Sequence, residues 1–353
     1  MSDQVKELAY SILEENLPTS GALATIMNPD IPLWENDPDF INPFATYNPI
    51  QTWAVMGERK AIPKTGIITF SAKPKQGKSL STYALCRPLL SGIPFDCVSS
   101  CDTPKLIIVF DTEMSREDLT SRTLSQINAI GENKNRFAVV PLKDKNKQER
   151  RSIIATKVKA YNPDIIVIDQ AADLIDDFNN VKESNELINW LVGLSSCRSV
   201  WTIIHQNKSK EDSNMRGHVG TMLEQKAEEN YSVERNNGIF AVTLKSARRS
   251  DPDNAEPLRF SLDADGNIID ATAIFKEKQQ KEIEAWRSNM ERIFGGDEEL
   301  KAGEIVKRIM EQDKLEERAA KTKVTTAKEM GVIYKIDPTS HLSPYAISKA
   351  DKI

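Results

Sequence analysis

Six short apolar runs punctuate the middle of this chain: GIITF (66–70), KLIIVF (105–110), FAVVPL (137–142), DIIVID (164–169), VWTII (200–204) and IFAVTL (239–244). Each has the length of a strand, and segments with helical patterning fill most of the intervals. A strand that is apolar along its whole length has to be covered on both faces, and helices alternating with such strands supply the cover. The pattern predicts an α/β core built on a mostly parallel central sheet.

The first run leads directly into AKPKQGKS (Ala72 to Ser79) and then into a helical pattern starting near Leu80. This is the Gly-Lys-Ser end of a Walker A loop in the strand–loop–helix setting that such a loop requires, with Ala72 in place of the first glycine. Gly77 lets the backbone wrap close to a phosphate, and the N–H groups at the helix start point at the anion. Lys78 neutralises β- and γ-phosphates in such a loop, and the Ser79 hydroxyl holds Mg²⁺. The expected nucleotide-binding set is Ala72, Lys73, Pro74, Lys75, Gln76, Gly77, Lys78, Ser79 and Leu80, with ATP and Mg²⁺ as the ligands. Lys73 and Lys75 are open between a phosphate, a neighbouring subunit and plain solvent.

A phosphate loop needs a carboxylate near its metal. Asp169 closes the apolar run DIIVID as a Walker B aspartate does, and is expected to reach Mg²⁺ directly or through water. Hydrolysis also needs a group that orients or deprotonates water. Asp111 and Glu113 follow the run KLIIVF, where a carboxylate at a strand's C-terminal edge reaches toward the phosphates. Glu113 has a second reading, as an acid favourably placed at the start of a helix from about Ser115.

These residues carry a family resemblance. DTEMSREDLTSR (111–122) is similar to the segment after the second core strand of DnaB-type hexameric replicative helicases. IIHQNKS and RGHVGTMLEQKAEENYSVERNN resemble their sensor strand, the loop after it and a Glu-Gln-x-Ala-acid segment. His205, Lys208, Arg216 and Gly217 look closer still to the plasmid RepA-type and phage AAA_25 branch of RecA-like ATPases. The resemblance spans about residues 67–262 and implies specific roles. Glu113 would be the catalytic base, and Gln206, with His205, would sense the γ-phosphate. The loop NKSKEDSNMRGHVG would face DNA in the channel of a ring through Lys208, Lys210, Arg216 and His218, with a solvated loop as the other reading. LKSARRSD would send Arg248, with Lys245 nearby, into a neighbour's nucleotide site; its spacing is one residue longer than in the relatives. The alternative for Arg248 is a surface ion pair with Asp251 or Asp253.

Beyond the core, a charged helix from about Phe275 to Phe294 leads to a GGDE linker. Ile305, Ile309 and Met310 then fall at helical spacing, a second helical run ends at Gly331, and VIYKI and PYAI read as short strands. Helices followed by a hairpin predict a winged helix, similar to those that close many RecA-like phage and plasmid ATPases. Arg318, Lys321, Lys323 and Lys328 would contact DNA phosphates there, or the unit would dock a protein. The expected organisation is an arm over 1–50, an ATPase core over 51–274, a linker helix over 275–300 and the small domain over 301–353. The arm holds an amphipathic stripe (Val5, Leu8, Ile12, Leu13) that packs either on an adjacent subunit or on its own core.

A formal net charge of −5 assigns any nucleic-acid contact to local basic patches rather than to the whole field. The four cysteines lack the spacing of a zinc site and are expected as reduced thiols. Neither a membrane span nor a leader is expected, so the location is cytoplasmic. The leading expectation is an ATP hydrolase that moves on single-stranded DNA as a homo-oligomer, a hexameric ring first, with duplex DNA as a further partner of the small domain. Its alternatives are a recombination or repair ATPase that forms filaments and an ATP-switched DNA-binding regulator.

Overall fold

The computed structural model describes residues 41, 46, 49–207 and 214–348. Two units partition the chain, Met1–Ile50 and Gln51–Ile353. The amphipathic stripe at Val5 to Leu13 lies outside the described residues, as do Lys208 and Lys210.

The second unit opens with β1 (Thr52–Met56) and β2 (Arg59–Pro63), then β3 (Gly66–Ala72), helix α1 (Lys78–Ser91) and β4 (Val98–Ser100). β5 (Ile107–Asp111), α2 (Arg116–Ile127), β6 (Phe137–Pro141), α3 (Lys147–Tyr161) and β7 (Ile165–Asp169) follow. Next come α4 (Val181–Ser195), β8 (Ser199–His205), α5 (Gly217–Lys226), β9 (Glu229–Asn236) and β10 (Ile239–Ala247). All six apolar runs are strands of one nine-stranded sheet, ordered β12-β11-β10-β9-β3-β8-β7-β5-β6, where β11 is Leu258–Leu262 and β12 is Ile268–Asp270. From β6 across to β9 neighbouring strands run parallel; β9 to β12 form an antiparallel meander on one edge. The core is therefore α/β with a mostly parallel mixed sheet.

Alternation along each strand makes two cores from one sheet. Ile68, Phe70, Val109, Val167 and Trp201 point to the face covered by α1 and the β10–β11 aromatics. Their neighbours Ile67, Ile108, Phe110, Ile166, Ile168 and Val200 point to the face covered by α3, α4 and α5. Burial on both faces is why these runs contain almost no polar residue.

β9 breaks that rule. Glu229, Asn230 and Ser232 are all buried in it; Glu229 and Asn230 find partners, while Ser232 Oγ has none among the described residues. Arg59, from the small sheet β2-β1-β4, donates to Glu229 Oε1 at 2.5 Å and to the Tyr231 hydroxyl at 2.7 Å. Glu229 Oε2 also accepts from the Ile62 amide at 3.0 Å and the Tyr231 hydroxyl at 2.8 Å. Asn230 accepts from Thr69 and donates to Ser246 at 2.9 Å.

Helix α6 (Thr272–Phe294) leads to α7 (Ala302–Asp313), α8 (Glu317–Glu329) and a hairpin of β13 (Ile333–Lys335) and β14 (Tyr345–Ile347). These elements share a core of their own: Met290, Ile293 and Phe294 of α6 against Ile305, Ile309, Ala320, Val324 and Tyr345. Met310, expected on the same face as Ile309, is instead 36% exposed at the edge of α7.

Candidate nucleotide site

The registers of the parallel strands decide which residues meet. Ala72 pairs with His205 across β3–β8, and Asp111 pairs with Asp169 across β5–β7, all at the carboxyl ends of their strands. That edge is where open α/β sheets bind ligands. A cleft of about 550 Å³ opens there, lined by Pro74, Lys75, Gly77, Lys78, Ser79 and Leu80 from the loop and by Glu113, Met114, Arg122, His205, Arg235, Phe240 and Leu262 around it.

The loop is shaped by close approach. Gly77 has φ +86°, and a Cβ there would run into the Phe240 ring. Phe240 is held in place by stacking on Phe260, with centroids 4.8 Å apart. Lys75 adopts φ +65°, a left-handed backbone that glycine takes without strain and lysine does not. Gln76 turns away from the cleft, its Oε1 accepting from the Arg235 amide at 2.7 Å. Ala72 is buried under the loop, where its carbonyl accepts from the Gln206 amide at 2.9 Å.

Lys78 is 6% exposed, and burial lowers its pKa against the opposing pull of Glu113 and Asp169. Its ammonium lies 2.9 Å from His205 Nδ1, and His205 Nε2 lies 3.1 Å from Glu113 Oε1. An ammonium can only donate, so Nδ1 accepts; Nε2 then carries the ring proton and donates to the carboxylate. Glu113 Oε1 also accepts from Gln170 Nε2 at 3.4 Å. The hydrogen bond from His205 holds the Glu113 pKa below the ordinary glutamate value despite burial.

The backbone presents Glu113 through Asp111, whose Oδ1 accepts from the amides of Glu113 and Met114 at 2.9 and 2.8 Å. Ser115 caps α2, and the acids in its first turn are Glu117 and Asp118. Glu113 thus sits ahead of the cap with its carboxylate turned to His205, and the dipole of α2 is matched by other residues.

Asp169 is 2% exposed; burial first, and then the neighbouring Asp111, push its pKa up to about 7. It hydrogen-bonds the Ser79 side chain, yet its Oδ1 has no hydrogen-bond donor among the described residues. A buried carboxylate with an idle oxygen, next to another carboxylate and a hydroxyl, has the donor set of a hard divalent cation. Mg²⁺ in phosphate loops takes one or two protein ligands and completes its shell with phosphates and waters. Ser79 and Asp169 fit that role.

The remaining expected residues are distributed as follows. Gln206 is buried and donates from its side chain to Ser71 Oγ at 3.2 Å, so His205 rather than Gln206 lines the cleft. Arg216 stacks over Phe178 at 4.3 Å, and His218 lies in the first turn of α5. Arg248 donates to the carbonyls of Gln225 and Ala227 at 2.8 and 3.2 Å, closing the C-terminus of α5. Its acidic neighbour is Glu228, 3.7 Å away, which also binds Arg249 at 2.7 Å; Asp251 and Asp253 take no part. Lys245 is exposed. In the C-terminal unit Lys321 pairs with Glu317 at 2.6 Å and Lys323 with Asp313 at 2.7 Å, while Arg318 and Lys328 are exposed.

Fold and site together define an α/β core with a P-loop nucleotide site. Residues 38–211 match the AAA_25 family model, described as an AAA domain. Among solved structures, a KaiC-like protein from the hyperthermophilic archaeon Pyrococcus horikoshii OT3 is similar at 14% identity and a TM-score of 0.41, over 60% of this chain and 91% of that one. No curated protein matches the chain. Among the described residues no helix is long and apolar enough to cross a membrane.

Sequence reasoning passed over Phe240, Arg235 and Leu262, which wall the cleft from β9–β11. Nothing local marks them, because the sheet order alone brings β9 beside β3 and β10 beside β9. Gln170 was also passed over, although it directly follows Asp169.

Proposed function

We propose that this chain is an ATP-driven motor acting on single-stranded DNA, of the RepA-like and DnaB-like kind, which works as a ring of identical subunits in replicating a plasmid, phage or mobile element. The observation that carries the reading is the contact chain Lys78–His205–Glu113. His205 ends β8, and the Lys/Arg segment after it is tied back to the site at its base. The Arg216 amide donates to the His205 carbonyl at 2.8 Å, and Gln206 bridges to Met215. Whatever changes the partners of His205 therefore acts on the base of that segment.

In this reading Lys78 leaves His205 for a phosphate oxygen, and Glu113, a carboxylate at neutral pH, takes the proton of the attacking water. Ser79 and Asp169 hold Mg²⁺, which neutralises charge on the phosphates. Released from Lys78, His205 shifts the segment that begins at Gln206. Lys208, Lys210, Arg216 and His218 follow the DNA backbone. From the neighbouring subunit, Arg248 or Lys245 stabilises the transferred phosphoryl group. Arg248 already closes α5, which leaves Lys245 the freer cation. The C-terminal unit acts as a winged helix that offers Arg318, Lys321, Lys323 and Lys328 to duplex DNA.

Steady-state ATP hydrolysis with and without single-stranded DNA tests the reading. Strong stimulation is expected, lost in Lys78→Ala and in Glu113→Gln. The separate core of the C-terminal unit supports a second reading, an ATP-switched DNA-binding regulator. ATP binding without turnover, or turnover indifferent to DNA, would move the assignment there.

A further inference from the structure

Gln170 combines two unfavourable features in one residue of the site. It follows Asp169 with φ +67°, ψ +74°, a left-handed conformation that a non-glycine residue adopts only under strain. It is 5% exposed, and its Oε1 has no donor among the described residues. A buried unpaired amide oxygen adds a desolvation penalty that no hydrogen bond offsets. Strained backbone and an idle buried acceptor in one residue call for a function rather than a packing role.

The orientation of the amide is fixed by its neighbour. Nε2 lies 3.4 Å from Glu113 Oε1, and a flipped amide would set two acceptors against each other. Oε1 is therefore the free end. Gln170 lines a second cleft of about 500 Å³, together with Arg150, Asp173, Phe178 and Arg216. This cleft contains no P-loop residue, and it shares Glu113 and His205 with the nucleotide cleft. Solvent in it reaches Glu113 without passing the phosphate loop.

A water that attacks phosphorus has two protons to place. Unless both are accepted in fixed directions, its lone pair is not aimed. Glu113 can take one. Its Oε1 is already engaged by His205 and Gln170, which leaves Oε2 for the water. We propose that Gln170 Oε1, closed to solvent in this arrangement of the site, is uncovered when Lys78 leaves His205 and then accepts the second proton, so that Gln170 and Glu113 together orient the lytic water, supplied through the second cleft. The oxygen of that water bonds to the γ-phosphorus as the bond to the β–γ bridging oxygen breaks; one proton passes to Glu113, and the other stays in the hydrogen bond to Gln170. Gln170 is a positioning residue that also fixes Glu113 through Nε2. The inference rests on Glu113 being the base of an ATP hydrolase.

The test is Gln170→Met, which keeps side-chain length and removes both polar ends, in the full chain. We expect turnover to fall about 10²-fold, the low end of what a positioned acid–base group contributes. Binding of a fluorescent ATP analogue should be unchanged and thermal stability unchanged or higher, because no orphaned oxygen remains. A purely structural role would lower stability and affinity together. Gln170→Glu, which restores acceptor oxygens, should recover part of the lost rate. Wild-type turnover in Gln170→Met, with Glu113→Gln inactive beside it, overturns this inference and leaves the base assignment standing. Loss of turnover accompanied by loss of stability overturns it as well. Full activity in Glu113→Gln, or a wild type that binds ATP without turnover, overturns both.

Discussion

Gly77 and Phe240 are far apart in sequence and touch across the cleft, so the phosphate loop depends on one bare Cα. Gly77→Ala adds a methyl against a ring that stacking on Phe260 prevents from yielding, in a left-handed backbone. A loss of at least about 1–2 kcal/mol is expected, from the backbone term alone. Thermal denaturation should show it, and ATP-analogue binding should weaken with it. Glu113→Gln should cut turnover by roughly 10²–10⁴-fold while nucleotide binding survives. Single-turnover measurements beside equilibrium binding separate those two effects.

At the scale of elements, β9 shows how a polar segment becomes an interior strand. Its Glu229 carboxylate is 4% exposed and is satisfied by Arg59, Ile62 and Tyr231. Breaking such a pair leaves a buried charge without its counterpart. Glu229→Ala should therefore cost about 3–5 kcal/mol in denaturant unfolding, and a paired Arg59→Met, Glu229→Leu replacement should recover most of it. If the single and double variants unfold alike, the strand does not depend on the pair. The Arg59 network was not legible in the sequence, since EENYSVERN lacks the apolar run that marks the other interior strands and gains its partners only when β2 is placed against it. The strands DIIVID and VWTII were legible, because a strand buried on both faces has to write its burial into every residue.

Across the whole molecule, the C-terminal unit is joined through Asp313, which accepts from Arg292 of α6 at 2.5 Å and from Lys323 of α8 at 2.7 Å. Asp313→Ala should loosen α6, α7 and α8 from one another and leave the nucleotide site intact. The expected record is earlier hydrogen exchange in residues 290–330 with unchanged ATP-analogue binding. A uniform change over the whole chain would show that the unit does not unfold separately. If the chain acts as the proposed ring, light scattering should record ATP-dependent assembly, and Lys245→Ala should lower turnover without blocking assembly. Loss of assembly in Lys245→Ala would make Lys245 an interface residue rather than a trans contact.

The sequence by itself determined the parallel-sheet core, the phosphate loop and the carboxylates that close strands beside it. Each of those is a local pattern whose physics acts within a few residues: double-sided burial, a glycine at a helix start, an acid at a strand end. Tertiary structure alone decided that His205 rather than Gln206 faces the cleft, that Phe240 sets the space at Gly77, and that Arg248 closes a helix in its own subunit. Those outcomes depend on strand order and register, which bring together residues that no short window of sequence contains.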